Sequence, residues 1–198
     1  MRSPTFHLEK QLAACGYSAI AGVDEVGCGA LAGPVLAAAV ILPVTSRLGR
    51  IRDSKMLSPI MRAALYSQIT VRAAGWAVGQ SSVAEITALG LRPATLLAMR
   101  RAVDQLNVVD YVLVDAWTLP ALPIPQQGLI RGDQSVKSIA AASIIAKVTR
   151  DRMMAEYAIE YPGYGFEKHK GYGTAFHQSR IQELGPCAIH RLSYKTFA

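Results

Sequence analysis

Apolar positions along the chain fall into short strand-like runs and longer stretches of helical period. Residues 18–25 and 34–42 predict two strands, the second entered through Gly33-Pro34. Residues 75–83 predict a third. Tyr111-Val112-Leu113-Val114 predicts a buried strand that ends at Asp115, and Gly128-Leu129-Ile130-Arg131-Gly132 a shorter one before Asp133. Elsewhere the period is 3.6. A helix starts after Ser58-Pro59, with Ser58 as N-cap and Pro59 at the first helical position. Residues 93–106 predict an amphipathic helix with Leu96, Met99, Val103 and Leu106 on one side. The longest helix, 136–160, is predicted with Ser135 as cap, Ile139, Ala142, Ala146, Met153 and Tyr157 on its apolar side, and Pro162 as its stop. Its Ala140-Ala141-Ala142-Ser143 segment is slim enough to pack close to a sheet. Shorter helices are expected at 6–16 and 174–184, with a loop rich in Tyr, Gly, Lys and His over 161–172. Three early strands, then helix–strand–loop–strand–helix, predict an α/β mixed sheet with helices around it.

Composition narrows the class. The 198 residues suit one domain, 1–198, with 161–198 as a small C-terminal extension. Residues 30–42 form the longest apolar run, and Gly33 and Pro34 interrupt it, so no membrane span is expected. The first residues lack a signal-peptide core. Three widely spaced cysteines argue against a disulfide framework and a zinc site, and predict a cytosolic (cytoplasmic) protein. The net charge of +7 points to a polyanionic partner.

The chemistry concentrates in four acids. Asp24 and Glu25 close the first strand run, and the glycine-rich turn Gly27-Cys28-Gly29 follows at once. Adjacent like charges at a strand end are costly unless neutralised, and carboxylates are hard ligands for a divalent cation. Bare glycine amides beside them suit an anion's oxygens. A solvated turn is the competing reading for this segment alone. Asp115 and Asp133 shift the balance, because three strand-like runs then each deliver acid at or beyond a C-terminal end, where α/β sheets build sites. Glu9, Asp104, Glu156, Glu160, Glu167 and Glu183 read instead as surface charges. Four converging carboxylates would suit one or two Mg²⁺ or Mn²⁺ ions.

Taken in order, Asp24-Glu25-Val26-Gly27, Leu31-Ala32-Gly33-Pro34-Val35, Asp53-Ser54-Lys55, Ala98-Met99, Leu113-Val114-Asp115, Gly132-Asp133, residues 143–151 and His169-Lys170-Gly171-Tyr172 resemble the bacterial ribonuclease HII (type 2 ribonuclease H) family. The resemblance runs from Ala21 to Arg191. It implies an RNase H-like fold, with a five-stranded mixed sheet flanked by helices. It also implies metal-dependent hydrolysis of the phosphodiester 5′ of a ribonucleotide, in RNA/DNA hybrids or at single ribonucleotides in duplex DNA, leaving 3′-OH and 5′-phosphate ends. The family's catalytic and metal-binding carboxylates fall on Asp24, Glu25, Asp115 and Asp133, with Mg²⁺ or Mn²⁺ as cofactor. Its nucleic-acid contacts fall on Gly27, Cys28, Gly29, Lys55, Lys170 and Tyr172. A monomer is expected.

Two residues depart from the family pattern. Cys28 stands where arginine is usual, which removes a guanidinium, and Ala30 replaces a common proline. Ser143 reads as a packing residue, and His169 and His177 as phosphate or structural contacts. Asp151 reads as an ion-pair partner of Arg150 and Arg152. Trp76 and Trp117 read as packing residues, the latter near enough to Asp115 to rim the site. Two other readings compete. One is a different carboxylate-cluster nuclease of this fold class, against which the 27–29 turn and the Lys170-Gly171-Tyr172 loop count. The other is a non-catalytic nucleic-acid-binding module, which gives no reason for four acids in apolar settings.

Overall fold

The computed structural model describes residues 3–48, 51 and 57–197. Asp53-Ser54-Lys55 therefore lies outside the described residues. The elements run α1 (His7–Ala14), β1 (Ile20–Val26), β2 (Val35–Ile41), α2 (Pro59–Arg72), β3 (Gly75–Ser81), α3 (Val83–Leu89), α4 (Leu91–Asp104), β4 (Tyr111–Asp115), β5 (Gln126–Leu129), α5 (Lys137–Glu160), α6 (Phe166–His169) and α7 (Ala175–Leu184). The five strands form one sheet in the order β3-β2-β1-β4-β5. β1 pairs antiparallel with β2 and parallel with β4, so the sheet is mixed. β2–β3 is antiparallel and β4–β5 parallel.

Helices cover both faces. Ala38 and Val40 of β2 point into a core shared with α2 and α5, while Val23, Ala37, Ala39, Val112 and Val114 meet α4 on the other side. α5 lies close against β1. A Cβ on Gly22 would sit 2.2 Å from the Ser138 carbonyl carbon and 2.3 Å from the Ile139 nitrogen, so only glycine lets helix and strand meet there.

α5 differs from its predicted pattern. Residues 138–146 are all buried, so this stretch has no solvent-exposed face. Ile139, Ala142 and Ala146 of the expected apolar stripe sample this buried segment, whereas Met153 and Tyr157 are only half-buried and the buried methionine is Met154. Ser135 does not cap it, because its hydroxyl donates to the Gly132 carbonyl at 3.4 Å. The end of α5 is instead met by Glu9, whose Oε1 accepts from the Ser138 N–H at 2.9 Å and the Ser138 hydroxyl at 3.0 Å. Glu9 is thus not a surface charge; it is 1 % exposed, and a carboxylate at a helix N-terminus is favoured by the axial dipole.

Other boundaries moved for local reasons. The third strand stops at Ser81, because Ser82 and Glu85 form a capping box that starts α3, a helix the sequence reading missed. The 161–172 loop contains the short helix α6. The fifth strand is Gln126–Leu129, earlier than expected, and Asp133 sits beyond it in a 3₁₀ turn, Gly132–Gln134. Ser58 caps α2 as expected, accepting from the Met61 N–H. The C-terminal segment packs around Phe166, Tyr164, Met154 and Ile189 against Ala32. No described helix is long and apolar enough to cross a membrane.

Candidate active site

The parallel pairing of β1 with β4 builds the site. The register sets Gly22 beside Leu113 and Val23 beside Val114, so the next step brings Asp24 next to Asp115. Side chains alternate along each strand, and both acids fall on the α5 side. Oxygens of Asp24, Glu25 and Asp115 all lie within 4.8 Å of one another. Asp133 is buried and lines the same cleft, a cavity of about 510 Å³. The Gly132 N–H donates to Asp115 Oδ1 at 2.6 Å, tying the Asp133 turn to the end of β4.

Electrostatics within the cluster are unfavourable as it stands. Burial pushes the Asp24 carboxyl well above its usual range, and the charges of Glu25 and Asp115 push it further. Ser143 and the Glu25 N–H oppose this by hydrogen bonding to it, the latter at 2.8 Å. Ser143 is thus a neighbour of the acids rather than only a packing residue. Glu25 Oε2 is buried with no hydrogen-bond partner in the structure. An orphaned carboxylate oxygen amid three hard donors fits a divalent cation by the chemistry of the donor set.

The glycine turn forms an adjoining wall. Gly27, Cys28 and Gly29 line the cleft with Tyr172, Arg62 and Lys147. Gly27 has φ +92°, and a Cβ there would lie 2.3 Å from Arg150 Nε, so the position requires glycine. Two buried arginines brace this turn through backbone carbonyls. Arg150 donates to Pro34, Lys170 and Ala32, and Arg191 to Gly33 and Cys28. Sequence reasoning missed both, since their partners are main-chain oxygens 20 to 163 residues away. It also missed Arg62 and Lys147.

Cys28 turns its sulfur inward, 3.3 Å from Thr95 Oγ1 and 3.9 Å from Glu25 Oε1. Burial, reinforced by the Glu25 charge, pushes the thiol up to about 11. Tyr172 joins the cleft through its loop: the Leu31 N–H donates to the Gly171 carbonyl at 2.8 Å, and Ala30 bridges to Tyr172. Lys170 does not line this cleft. Its ammonium donates to the Glu167 carbonyl at 2.6 Å and it borders a neighbouring groove.

Two further expectations are corrected and one is narrowed. His169 and His177, expected in phosphate or structural contacts, make structural ones: both are buried behind the cleft and do not line it. Trp117 does not rim it either, but packs on the α4 side beneath the Arg92 guanidinium at 4.5 Å. Asp151 pairs with Lys147 at 2.6 Å and Arg62 at 4.0 Å, not with its chain neighbours, because residues four apart face each other on a helix and adjacent ones do not.

The sequence matches the family model described as Ribonuclease HII over residues 21–197. Ribonuclease HII of Syntrophotalea carbinolica is 48 % identical over 190 residues, covering 96 % of this chain and 91 % of that one. The Geotalea uraniireducens ribonuclease HII is 50 % identical over 181 residues, covering 91 % and 84 %. Among solved structures, the ribonuclease H2 of Pyrococcus horikoshii OT3 superposes with a TM-score of 0.76 at 23 % identity, over 91 % of this chain and 95 % of that one.

Proposed function

We propose, for a chain that belongs to the ribonuclease HII family, that it is a metal-dependent endonuclease cutting on the 5′ side of ribonucleotides. The substrates are RNA/DNA hybrids and duplex DNA holding single ribonucleotides, and the products carry 3′-OH and 5′-phosphate ends. The observation that carries this reading is the convergence of Asp24, Glu25 and Asp115 within 4.8 Å, with Asp133 in the same cleft.

Asp24, Glu25, Asp115 and Asp133 would hold one or two Mg²⁺ or Mn²⁺ ions. Such ions, when bound, supply Lewis acidity, an activated water and charge neutralisation at a phosphodiester. The rest falls to the chain. Ser143 and the Gly132 N–H orient Asp24 and Asp115 through hydrogen bonds. The Gly27–Gly29 backbone N–H groups face a phosphate or the 2′-OH, which both donates and accepts. The Tyr172 ring forms a flat wall for a sugar or base, with the Arg150 guanidinium 5.6 Å from its centroid. Arg62 and Lys147 bring positive charge to the same cleft for the phosphate backbone. Residues 161–198 act as a substrate-binding extension through Tyr172, with Lys170 as a phosphate contact at its neighbouring groove, and Lys55 as a further phosphate contact.

The test is direct. A DNA duplex with one ribonucleotide is incubated with the protein and Mg²⁺ or Mn²⁺, and the cut is mapped. A cut 5′ of the ribonucleotide is expected, absent in an all-DNA duplex and in the presence of a chelator. Equal cleavage of the all-DNA duplex, or cleavage in chelator, would refute the reading.

A further inference from the structure

Three of the chain's four histidines lie together, buried, behind the Tyr172 loop. His169 and His177 stack with ring centroids 4.1 Å apart. His177 Nε2 is 3.1 Å from His190 Nε2. The contacts assign every hydrogen. His169 Nδ1 accepts from the Gly171 N–H at 3.2 Å, so its Nε2 carries the hydrogen given to the Tyr164 carbonyl at 2.8 Å. His177 Nδ1 lies 3.0 Å from the Tyr172 carbonyl and so carries a hydrogen, which leaves Nε2 as acceptor. His190 must then donate from Nε2, and its Nδ1 accepts the Cys187 N–H at 2.8 Å; the Cys187 carbonyl is farther, at 3.3 Å. All three rings are neutral in this arrangement. A second hydrogen on His169 Nδ1 or on His177 Nε2 would face another N–H.

The chain of bonds ends on the main chain of Tyr172. It runs from Cys187 through His190 and His177 to the Tyr172 carbonyl, while His169 holds the amide of the preceding residue, Gly171, in the same turn. Lys170, just before, caps α6 at φ +54°, a left-handed conformation disfavoured for a residue with a Cβ. The same segment is pinned to the glycine turn through Leu31 and Ala30.

We propose that His177, oriented by His190 and stacked on His169, is a positioning residue that sets Tyr172 against the Gly27–Gly29 turn and so fixes the width of the ribonucleotide pocket. This rests on the reading that Tyr172 meets the ribonucleotide. No histidine lines the cleft that holds the four acids, so the trio acts on substrate fit rather than on the bond-breaking step.

The experiment compares His177→Asn, whose side-chain N–H falls at the Nδ1 position, with His177→Leu, which has none. Both are assayed with Tyr172→Ala on a duplex holding one ribonucleotide, with kcat and KM measured separately. His177→Leu should raise KM about three- to tenfold, the worth of one neutral hydrogen bond, with kcat within about twofold of the parent. His177→Asn should stay close to the parent in both. A folded His177→Leu with parental KM overturns the proposal, as does a folded His177→Asn with KM raised as far as in His177→Leu. If Tyr172→Ala leaves KM unchanged, the premise about Tyr172 fails and takes the proposal with it. If Tyr172→Ala raises KM and His177→Leu does not, only the histidine role fails. Should the variants not fold, nitrogen-15 NMR of the parent at neutral pH decides. Hydrogen on Nε2 of His169, Nδ1 of His177 and Nε2 of His190 supports the proposal, and a different tautomer at His177 overturns it.

Discussion

Single residues carry the heaviest electrostatic load at Asp24, where burial and two neighbouring carboxylates all oppose ionisation. A cation held there should stabilise the fold by mass action, by about 2.7 kcal/mol at a hundredfold excess over Kd. Chelator-treated protein should therefore gain thermal midpoint on adding Mg²⁺ or Mn²⁺. Asp115→Asn should lose most of that gain and nearly all cleavage, while duplex binding persists, since removing a negative charge does not weaken attraction to phosphate. A full metal-induced shift in Asp115→Asn would contradict the cluster's assignment. Cys28 gives a second prediction. Its thiol, held protonated at neutral pH beside Glu25, should be slow to oxidise. Cys28→Arg should tighten duplex binding by about one to two orders of magnitude, the worth of a charge-assisted hydrogen bond of roughly 1.5–3 kcal/mol, and should steepen the salt dependence by about one phosphate contact. Binding titrations at several salt concentrations check both numbers.

At the scale of elements, the contact of α5 with β1 sets Ser143 against Asp24. Gly22 is two residues before Asp24, and Ser138 is five before Ser143, so their close approach sets how strand and helix align at the site. Gly22→Ala places a methyl against backbone, which cannot rotate away as a side chain would. It should cost about 3 kcal/mol, at the upper end for overpacking, and should lower cleavage in the fraction that remains folded. Urea unfolding read beside specific activity tests this; a loss under about 0.5 kcal/mol, within the range of an ordinary surface substitution, would mean that the helix simply shifts. The elements also show which signals were readable. The capping box of Ser82 and Glu85 is a local signal, and in the sequence it lies at the end of the strand period of 75–83. Glu9 was not readable as buried, because the Ser138 groups that satisfy it lie 129 residues away.

For the molecule as a whole, the histidine trio makes acid stability a sensitive property. Burial holds all three rings below the ordinary histidine range, His177 down to about 4 from 6.5. An unfolded chain then binds more protons than the folded one in this window. The share of His177 is present above about pH 6.5 and is lost as pH falls toward 4, at up to about 1.4 kcal/mol per pH unit, and His169 and His190 add to it in the same direction. Thermal midpoints measured from pH 7.5 to 4.5 should fall, and His177→Asn should flatten the slope. A slope equal to the parent's would remove His177 as its source.

The sequence by itself determined the strand runs, most of the helices, the family resemblance and the four acids, because period, propensity and adjacency to glycine are local and survive in one dimension. It placed Asp24, Glu25 and Asp115 at strand ends correctly, and Asp133 beyond one. Only the tertiary structure decided that β1 and β4 are parallel neighbours, which is what puts Asp24 beside Asp115. It alone decided that Arg150 and Arg191 go inside, since their partners are carbonyls of a distant turn and carry no residue-type signature. It alone decided that His177 faces the Tyr172 main chain and not the cleft. The physical reason is common to all three. Backbone N–H and C=O groups look the same at every residue, so which strand a strand pairs with, and which oxygen a buried polar side chain meets, is written in the packing of the chain and not in the letters around it.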